Sequence, residues 1–314
     1  MLKVFSCTHS LSIGYPIVES LNCCQNDYQC ITFSDGEMEV HFESSVRGDD
    51  VFLIQSITSS DALVELMLAI NAAKLASAKS VTAVVPYLGY ARQDRKSRAR
   101  VSLGAKVILQ AIESAGADRI ITMDLHAAQE TGFVDIPVDH LRGTSLFLDE
   151  LRGKDEVVFV APDAGAAKNV SLYATELNKP MVMCHKSRSG INHVESMTVI
   201  GDVTGKEVVI IDDMVDTAGT ICKCADLLKD NGATRVTVVF THAVLSGKAQ
   251  ERLEHSCISE IISSNTISTT VLCDIQVNTR KVLNIVPITG IFSKAISAAY
   301  NNESIDNLFN IKHQ

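Results

Sequence analysis

The sequence contains no tryptophan and only 5% aromatic residues, so it offers few flat side chains on which single-stranded nucleic acid could stack. It has no G-x-x-x-x-G-K-[ST] and no G-x-G-x-x-G motif, which argues against a P-loop kinase and a dinucleotide-binding Rossmann unit. Low-complexity segments are also missing. The most apolar helical pattern, at 62–76, contains Glu65, Asn71 and Lys74, so we expect no membrane-spanning segment.

The nine cysteines show neither a paired zinc-ligand spacing nor a disulfide framework. Cys23 and Cys24 are adjacent, and Cys222-x-Cys224 has no second pair to complete a zinc site. We therefore expect reduced thiols that serve mainly in packing. The first residues, MLKVFSCTHS, contain no apolar stretch long enough for a signal peptide. Together these features predict a cytoplasmic protein.

Short apolar runs alternate with helical patterns along most of the 314 residues. Apolar residues recur with helical spacing at 63–70, and similar patterns cover 103–115 and 164–177. Near-continuous apolar strands that alternate with helices are typical of parallel sheets covered on both faces, so the sequence predicts an α/β fold. The predicted strands are 51–57, 81–86, 119–123, 157–160, 180–184, 208–211, 235–240 and 260–263.

A repeat indicates two similar domains. AGADRIITMDLHA at 115–127 resembles NGATRVTVVFTHA at 231–243, and each copy reads as a glycine-capped helix end followed by a strand. His126 and His242 occupy matching positions after the apolar runs. Ligands of open α/β sheets bind beyond the carboxyl ends of strands, so both histidines are candidate site residues, although either can equally be a satisfied structural residue.

A polar segment with two glycines lies between the two copies, at about 141–155. We place the domain boundary there and predict an N-terminal domain at 1–147 and a C-terminal domain at 148–314. The last fifteen or so residues are expected to pack back on the N-terminal domain.

One stretch, VVIIDDMVDTAGT at 208–220, indicates a phosphate site. A β-branched apolar run leads into two aspartates, a short polar loop follows, and then a helical pattern begins. Backbone N–H groups of such a loop, together with the helix dipole, favour a phosphate. The paired carboxylates can accept hydrogen bonds from vicinal hydroxyls or contact a metal ion. A pentose 5-phosphate has both groups, and its candidate ligands are Asp212, Asp213, Asp216, Thr217, Ala218, Gly219 and Thr220.

A second stretch, YARQDRKSRAR at 90–100, concentrates positive charge in a chain of net charge -9. A local cationic loop in an acidic protein indicates a polyphosphate ligand rather than general attraction to nucleic acid. Closing such a loop over its ligand would exclude water and supply cations to a transition state. The commoner alternative is a solvated basic surface loop. Its cations are Arg92, Arg95, Lys96, Arg98 and Arg100.

Charged or titratable side chains follow three further predicted strands. Asp124 and His126 can hold a metal or orient its water, or Asp124 can cap a turn. Asp163 is placed for a metal or a hydroxyl, or serves only as a helix N-cap. Lys186 and Arg188 alternate after the strand predicted at 180–184, where two cations can neutralise charge on a transferring phosphoryl group. The alternative for this pair is a solvated edge.

The chain resembles the ribose-phosphate pyrophosphokinase family over essentially its full length. The resemblance is specific because several separate motifs occur in the family's order. They are FSDGE (33–37), SVRG (45–48), YARQDRK (90–96), TMDLHA (122–127), GFVDIPVDHL (132–141), PDAGAAK (162–168), DDMVDTAGT (212–220) and SNTI (264–267).

The resemblance implies two phosphoribosyltransferase-like α/β domains, each a mainly parallel sheet flanked by helices. It implies transfer of the pyrophosphoryl group of ATP to the C1 hydroxyl of ribose 5-phosphate, giving phosphoribosyl pyrophosphate and AMP, with Mg²⁺ as cofactor. It also implies the phosphate-activated class, with inorganic phosphate and ADP as effectors, and dimers that assemble into a hexamer. No nucleic acid or membrane partner is expected.

The resemblance assigns roles residue by residue. The ribose 5-phosphate site matches the seven residues already named between Asp212 and Thr220. Catalytic cations match Lys186, Arg188, Arg95, Lys96 and Arg98. ATP contacts match Phe33, Asp35, Glu37, Arg92, Gln93, Asp94 and His126, the first three on a hairpin that reaches a neighbouring subunit. Magnesium ligands match His126 and Asp163, and the allosteric site matches Ser45, Arg47, Ser304 and Phe309.

Three positions depart from the family pattern. Ala166 replaces a glycine in PDAGAAK, and a positive φ there would cost on the order of 1 kcal/mol. Ala243 replaces a glycine after His242, and Ser102 replaces a proline after the basic loop, which makes the loop exit less rigid. No charged catalytic group is lost, so we expect effects on rate and regulation.

Two other functions remain open. An ordinary phosphoribosyltransferase would consume the diphosphate, but it needs only one such domain, whereas this chain has two and the basic loop. A non-catalytic regulatory relative would lack catalytic side chains or contain insertions. The charged motif residues are all present and uninterrupted, which favours the enzyme.

Overall fold

A computed structural model describes residues 1–23, 28–154, 156–187 and 196–309, with the backbone alone at Lys186, Ser187, Ser196, Asn307 and Phe309. The fold is α/β, with parallel sheets flanked by helices, as the alternation of patterns predicts. The strands are β1 (Leu2–Ser6), β2 (Tyr28–Thr32), β3 (Met38–Phe42), β4 (Asp50–Ile54), β5 (Ser80–Val85), β6 (Arg119–Met123), β7 (Val138–Leu141), β8 (Val157–Ala161), β9 (Met181–Ser187), β10 (Ser196–Ile200), β11 (Glu207–Val215), β12 (Arg235–Ala243), β13 (Glu260–Ser264) and β14 (Val282–Val286).

The helices alternate with these strands. They are α1 (Leu11–Ser20), α2 (Ser60–Leu75), α3 (Gly104–Ser114), α4 (Thr144–Arg152), α5 (Ala167–Glu176), α6 (Gly219–Asp230), α7 (Ala249–His255), α8 (Val271–Asn278), α9 (Thr289–Asn301) and α10 (Asp306–Phe309), with short 3-10 turns at Thr8–Ser10 and Ala128–Phe133. Over the described residues, no helix is both long and apolar enough to span a bilayer.

The chain divides into two compact units. The first contains Met1–Arg142, Thr266–Ser268 and the helices α9 and α10. Its sheet is wholly parallel, in the order β1-β4-β5-β6-β7. The antiparallel hairpin of β2 and β3 forms a separate ribbon, and α1 packs against β1 and α9.

The second unit contains Gly143–Asn265 and Thr269–Pro287. Its sheet runs β10-β9-β8-β11-β12-β13-β14 and is parallel except for β10, which pairs antiparallel with β9. Successive residues of β11 point to opposite faces: Val208 and Ile210 join one apolar cluster, and Val209 and Ile211 join another. Both faces are buried, which is why the strand is a continuous apolar run.

The eight predicted strands are all present, and β9, β11 and β12 extend furthest beyond the ends that the apolar pattern indicated. β9 continues through Ser187, so Lys186 lies in the strand and not after it. β11 continues through Val215, so Asp212 and Asp213 lie within the strand and not after it. The pattern ended where polar residues began, but the ladder between β11 and β12 extends to the pair Val215 and Ala243.

The two copies of the repeat end their helices in the same way. Gly116 after α3 and Gly232 after α6 both have positive φ, at 115° and 90°. The residue after each glycine donates its N–H back to the helix, from Ala117 to the Ile112 carbonyl and from Ala233 to the Leu228 carbonyl. This is the Schellman arrangement, which the paired Gly-Ala sequence encodes locally.

A buried carboxylate ties several elements of the first unit together. Glu65 of α2 is fully buried and accepts hydrogen bonds from Thr8 N (2.7 Å), His9 Nδ1 (2.9 Å), Tyr28 Oη (2.9 Å) and Gln55 Nε2 (2.7 Å). Burial alone raises the pKa of Glu65, but these hydrogen bonds together outweigh it and hold the pKa below its usual value. Hydrogen bonds to a charged acceptor are stronger than neutral ones.

Glu65→Gln is expected to lower the free energy of unfolding at pH 7 by about 1 to 3 kcal/mol, because an acceptor of charged hydrogen bonds becomes neutral. A lowered folded-state pKa means that stability is present above the unfolded pKa and is lost as pH falls through the folded one. Urea titrations between pH 3 and pH 7 should therefore show a smaller acid loss in Glu65→Gln than in the wild type. Parallel curves would contradict the network's charged state.

All the cysteines that the structure describes are free thiols, as expected. Cys184 of β9 and Cys224 of α6 bring their sulfur atoms within 2.9 Å of each other in the core of the second unit. Both are fully buried, so they serve in packing between strand and helix.

Candidate functional site

The strongest candidate for a phosphate site is the turn between β11 and α6 in the second unit. Its N-cap residue, Ala218, has φ 59°, in the left-handed region, and makes no side-chain capping hydrogen bond. Most of the described helices also lack such a cap, α2 with its Ser59 hydroxyl being an exception, so the left-handed N-cap is what distinguishes this turn. A left-handed alanine costs on the order of 1 kcal/mol. Uncapped helical N–H groups held at such a cost favour an anionic ligand.

The acidic pair lies immediately before this turn, at the carboxyl end of β11. Asp212 Oδ1 accepts from Asp213 N at 3.0 Å, and Asp213 Oδ1 accepts from Met214 N at 2.9 Å. Although Asp212 keeps part of its surface in solvent, its carboxyl is closely surrounded by protein. Burial raises the pKa of Asp212 well above its usual range, and the carboxylates of Asp213 and Asp163 add to the shift.

Asp163 follows β8, the strand that pairs with β11. Its Oδ1 accepts from Gly165 N at 2.8 Å and from Ala166 N at 3.1 Å, so it does form the local turn that leads into α5. Its charge nevertheless reaches Asp212. Three carboxylates from neighbouring strand ends therefore share one electrostatic environment.

The departure at Ala166 is free of backbone strain. Ala166 has φ −73° and ψ −18°, which are ordinary helical values. The strain that a positive φ would cause at this position is therefore absent. The methyl group packs against the apolar cluster beneath α5.

Two residues that the sequence did not predict make contacts with the β11–α6 turn. They lie in and after the connection between β12 and α7. Ser246 donates its backbone N–H to the Asp216 carbonyl at 3.0 Å, and its hydroxyl donates to Asp216 Oδ1. Arg252 Nη1 donates to the Thr217 carbonyl at 2.7 Å. Neither belongs to a motif that predicts this contact, because the partners are at least 30 residues apart.

In this unit, Lys186 lies near the same sheet edge by backbone register. β8 ends at Ala161, opposite Met183 of β9, so Lys186 lies three residues beyond that pair, toward the edge from which Asp163 departs. Lys186 pairs in register with Met197 of β10. Arg188 lies outside the described residues.

The basic loop of the first unit begins just after β5. Its entry is close-packed, because a Cβ on Gly89 would lie 2.3 Å from the Ile57 carbonyl oxygen. Tyr90 and Arg100, at its two ends, have positive φ values of 67° and 62°. Residues held in this region mark functional segments more often than ordinary ones. The side chains of Arg92, Arg95, Lys96, Arg98 and Arg100 are exposed.

Gln93 is positioned against the start of α3. A Cβ on Gly104 would lie 2.6 Å from Gln93 Oε1, so the missing side chain lets the two segments meet. The Ala105 N–H points to the Gln93 carbonyl at 3.4 Å. Gln93 is thus held against α3 although it is exposed, and Asp94 beside it is half-buried.

The end of β6 also has a constrained backbone. Asp124 has φ 37° and is buried, and Leu125 donates its N–H to His140 Nε2 at 2.9 Å. His126 is exposed beyond the strand. His242, its counterpart in the repeat, lies within β12 and is 1% exposed, so the two histidines have different environments.

The remaining candidates of the first unit lie on exposed turns and near its last helix. The turn between β2 and β3 exposes Phe33, Asp35 and Glu37, and Asp35 Oδ1 accepts from Glu37 N at 3.0 Å. Ser45 and Arg47 form a short exposed turn in which the Ser45 hydroxyl accepts from Arg47 N at 3.3 Å. Ser304 is exposed before α10, and the Phe309 side chain lies outside the described atoms.

The carboxylates suit Mg²⁺ brought in with a phosphate ligand. Within the described part of the chain, no group of three or more His, Cys, Asp and Glu residues forms a ready cage. Mg²⁺ usually keeps several waters and binds through one or two carboxylates plus substrate phosphates. A cation beside Asp163, Asp212 and Asp213 would relieve the repulsion that raises the pKa of Asp212.

Comparisons with known families and proteins show which family the chain is similar to. A family model described as the N-terminal domain of ribose phosphate pyrophosphokinase matches residues 2–116, and one described as the phosphoribosyl synthetase-associated domain matches residues 180–310. The chain is 45% identical over 311 residues to a ribose-phosphate pyrophosphokinase of Porphyromonas gingivalis, which covers 98% of this chain and 97% of that protein. It is 41% identical to one of Campylobacter jejuni, with 98% of both covered.

A solved structure extends the comparison to the fold. The crystal structure of phosphoribosylpyrophosphate synthetase from Mycobacterium smegmatis superposes with a TM-score of 0.87 at 33% sequence identity. The match covers 96% of this chain and 99% of that one.

Proposed function

The chain belongs to the ribose-phosphate pyrophosphokinase family, and we propose that its β11–α6 turn binds the 5-phosphate of ribose 5-phosphate. As a ribose-phosphate pyrophosphokinase, it transfers the pyrophosphoryl group of ATP to the C1 hydroxyl of that sugar. The hydroxyl oxygen bonds to the β-phosphorus. The bond from the β-phosphorus to the oxygen that bridges it to the α-phosphorus breaks, and AMP leaves with that oxygen. The hydroxyl proton goes to solvent.

One observation carries the sugar-phosphate assignment: uncapped N–H groups and an acidic pair adjoin in one turn. The amides at 217–220 suit the phosphate. The carboxylates of Asp212 and Asp213 suit the ring hydroxyls, because ionised carboxylates accept hydrogen bonds strongly. Asp216, which Ser246 holds from the side, closes the turn between them.

For the nucleotide, the assignments follow the family motifs. By the match to these motifs, Arg92, Gln93 and His126 contact the ATP phosphates, with Asp94 beside them. Phe33, Asp35 and Glu37 contact adenine from a neighbouring subunit, which their exposure permits. His126 and Asp163 are each candidate magnesium ligands, and the ion would neutralise phosphate charge.

Catalysis then depends on cations that meet charge on the transferring group. Lys186 and Arg188 fill this role from β9 and the residues after it. Arg95, Lys96 and Arg98 supply further positive charge when the basic loop closes and excludes water. Electrostatic stabilisation of this kind is the main protein contribution to phosphoryl-type transfer.

Regulation and assembly complete the proposal. The protein belongs to the phosphate-activated class, with inorganic phosphate and ADP acting at Ser45, Arg47, Ser304 and Phe309, and dimers assemble into a hexamer in the cytoplasm. The two phosphoribosyltransferase-like domains are 1–147 and 148–314, with the last fifteen or so residues packed back on the N-terminal domain.

The reaction is tested by phosphorus NMR of the purified protein with Mg²⁺, ATP and ribose 5-phosphate. We expect AMP and a new sugar diphosphate. ADP with a sugar bisphosphate would contradict pyrophosphoryl transfer. No turnover, with or without inorganic phosphate, would favour the non-catalytic regulatory relative, and the Ala166→Gly variant would be measured next.

Thr220→Tyr is expected to raise the KM for ribose 5-phosphate by about tenfold or more while the KM for ATP changes little, because a large side chain in the first turn of α6 displaces the phosphate. Steady-state kinetics with each substrate varied in turn measure the two effects. Thr220→Ser is the matched control and keeps the hydroxyl. Equal changes in both KM values would count against the assignment.

A further inference from the structure

The guanidinium of Arg252 lies beside the β11–α6 turn. Among the described residues it has no carboxylate partner. Arg252 is exposed on α7, and no ion pair involves it among the residues that the structure describes. The acidic residues next to it on the helix have other partners. Glu251 pairs with Lys248 at 3.9 Å, and Glu254 accepts from Gln250 at 3.0 Å and from Asn278 at 2.8 Å.

Its position relative to the turn is well defined by contacts within the second unit. Nη1 donates to the Thr217 carbonyl at 2.7 Å. A Cβ built on Gly219 would lie 3.5 Å from the same Nη1 and 3.9 Å from Cζ. The guanidinium therefore lies beside both Thr217 and Gly219, at ordinary contact distance from the start of α6.

The backbone beneath Arg252 is held in place. Ala249 and Leu253 of α7 are fully buried in the cluster that also contains Ala218 and Ile221. The thiol of Cys222, in the first turn of α6, donates to the Arg252 carbonyl at 3.6 Å. The side chain thus extends from a fixed backbone position beside the turn.

We propose that Arg252 is a positioning and charge-matching residue of the ribose 5-phosphate site. This inference rests on the proposed function of the β11–α6 turn. By binding the Thr217 carbonyl, Arg252 turns that oxygen away from the ligand and leaves the neighbouring N–H groups facing it. A guanidinium has five N–H donors and keeps its charge at every physiological pH, so the remaining donors can attract a phosphate dianion.

This role predicts selective loss of sugar-phosphate binding. In Arg252→Met, which keeps the aliphatic stem, the Kd for ribose 5-phosphate should rise at least about tenfold, because a hydrogen bond from a charged donor is lost. Arg252→Lys keeps the charge and loses the planar fork, so it should fall between Arg252→Met and the wild type. The KM for ATP and the melting temperature should change little in both variants.

The experiment is calorimetric titration of ribose 5-phosphate into the full-length protein with Mg²⁺ and without ATP, alongside steady-state kinetics. Lys248→Met, which removes a cation at the start of the same helix, is the control and should bind like the wild type. Equal Kd values for Arg252→Met and wild type would overturn the inference. If the wild type itself fails to bind, the proposed function of the turn fails first. If Arg252→Met does not fold, an unaltered Kd in Arg252→Lys would contradict a role for the fork.

A purely structural role for Arg252 is distinguished by the pH profile. The second pKa of a phosphate monoester is near 6, so wild-type affinity should fall as the dianion is lost between about pH 7.5 and pH 5.5. Removing the cation that favours the dianion should flatten this dependence in Arg252→Met. A parallel profile with a lower melting temperature would mean that Arg252 only stabilises the turn.

Discussion

Lys186→Met is expected to lower kcat by about 10²- to 10³-fold with modest changes in both KM values, the loss typical of one group that stabilises transition-state charge. The reason is positional as well as chemical. β9 carries Lys186 beyond the end of β8, toward the sheet edge from which Asp163 departs. Rapid-quench measurement of AMP formation at saturating substrates isolates the chemical step.

Two further variants serve as controls for Lys186→Met. Lys206→Met removes a half-exposed lysine whose ammonium pairs with the surface residue Asp202. Such pairs contribute little to stability, so its kcat should match the wild type. Lys186→Arg keeps the charge and should recover part of the rate, because the two cations differ in shape. Unchanged turnover in Lys186→Met, with native circular dichroism, would end the proposed role.

Asp212→Asn should raise thermal stability while weakening ribose 5-phosphate binding by at least about 100-fold. Burial and two neighbouring carboxylates raise the pKa of Asp212 in the folded protein. A raised folded-state pKa means that stability is present below the unfolded pKa and is lost as pH rises through the folded one. The neutral amide avoids that loss, so the melting temperature at pH 8 should rise by about 2 to 4 °C for on the order of 1 kcal/mol.

The stability gain should depend on pH. Differential scanning calorimetry at pH 4 should show little difference between Asp212→Asn and wild type, because the wild-type carboxyl is then protonated. The difference should grow as pH rises toward 8. Greater stability without function would identify Asp212 as a residue kept for ligand binding. A lower melting temperature at pH 8 would contradict the electrostatic account.

The sequence by itself determined which segments become strands and helices, because periodicity and capping are local properties. The β-branched run before Asp212 predicts a buried strand, and the Gly-Ala steps at 116 and 232 predict helix ends. The motifs likewise predict the family, which full-length relatives support. Periodicity did not predict β14 or the strands of the β2–β3 hairpin, which only the family resemblance indicated. These strands are short and partly exposed, so their patterns carry little hydrophobic signal.

Only the tertiary structure decided how far strands extend and what supports the candidate site. β11 continues past Asp213 because β12 offers a partner through Ala243, and polar composition gives no sign of that pairing. The Arg252 contact with Thr217 and the hydrogen bonds to Glu65 join residues distant in sequence. Such contacts depend on packing between elements, and no local pattern encodes them.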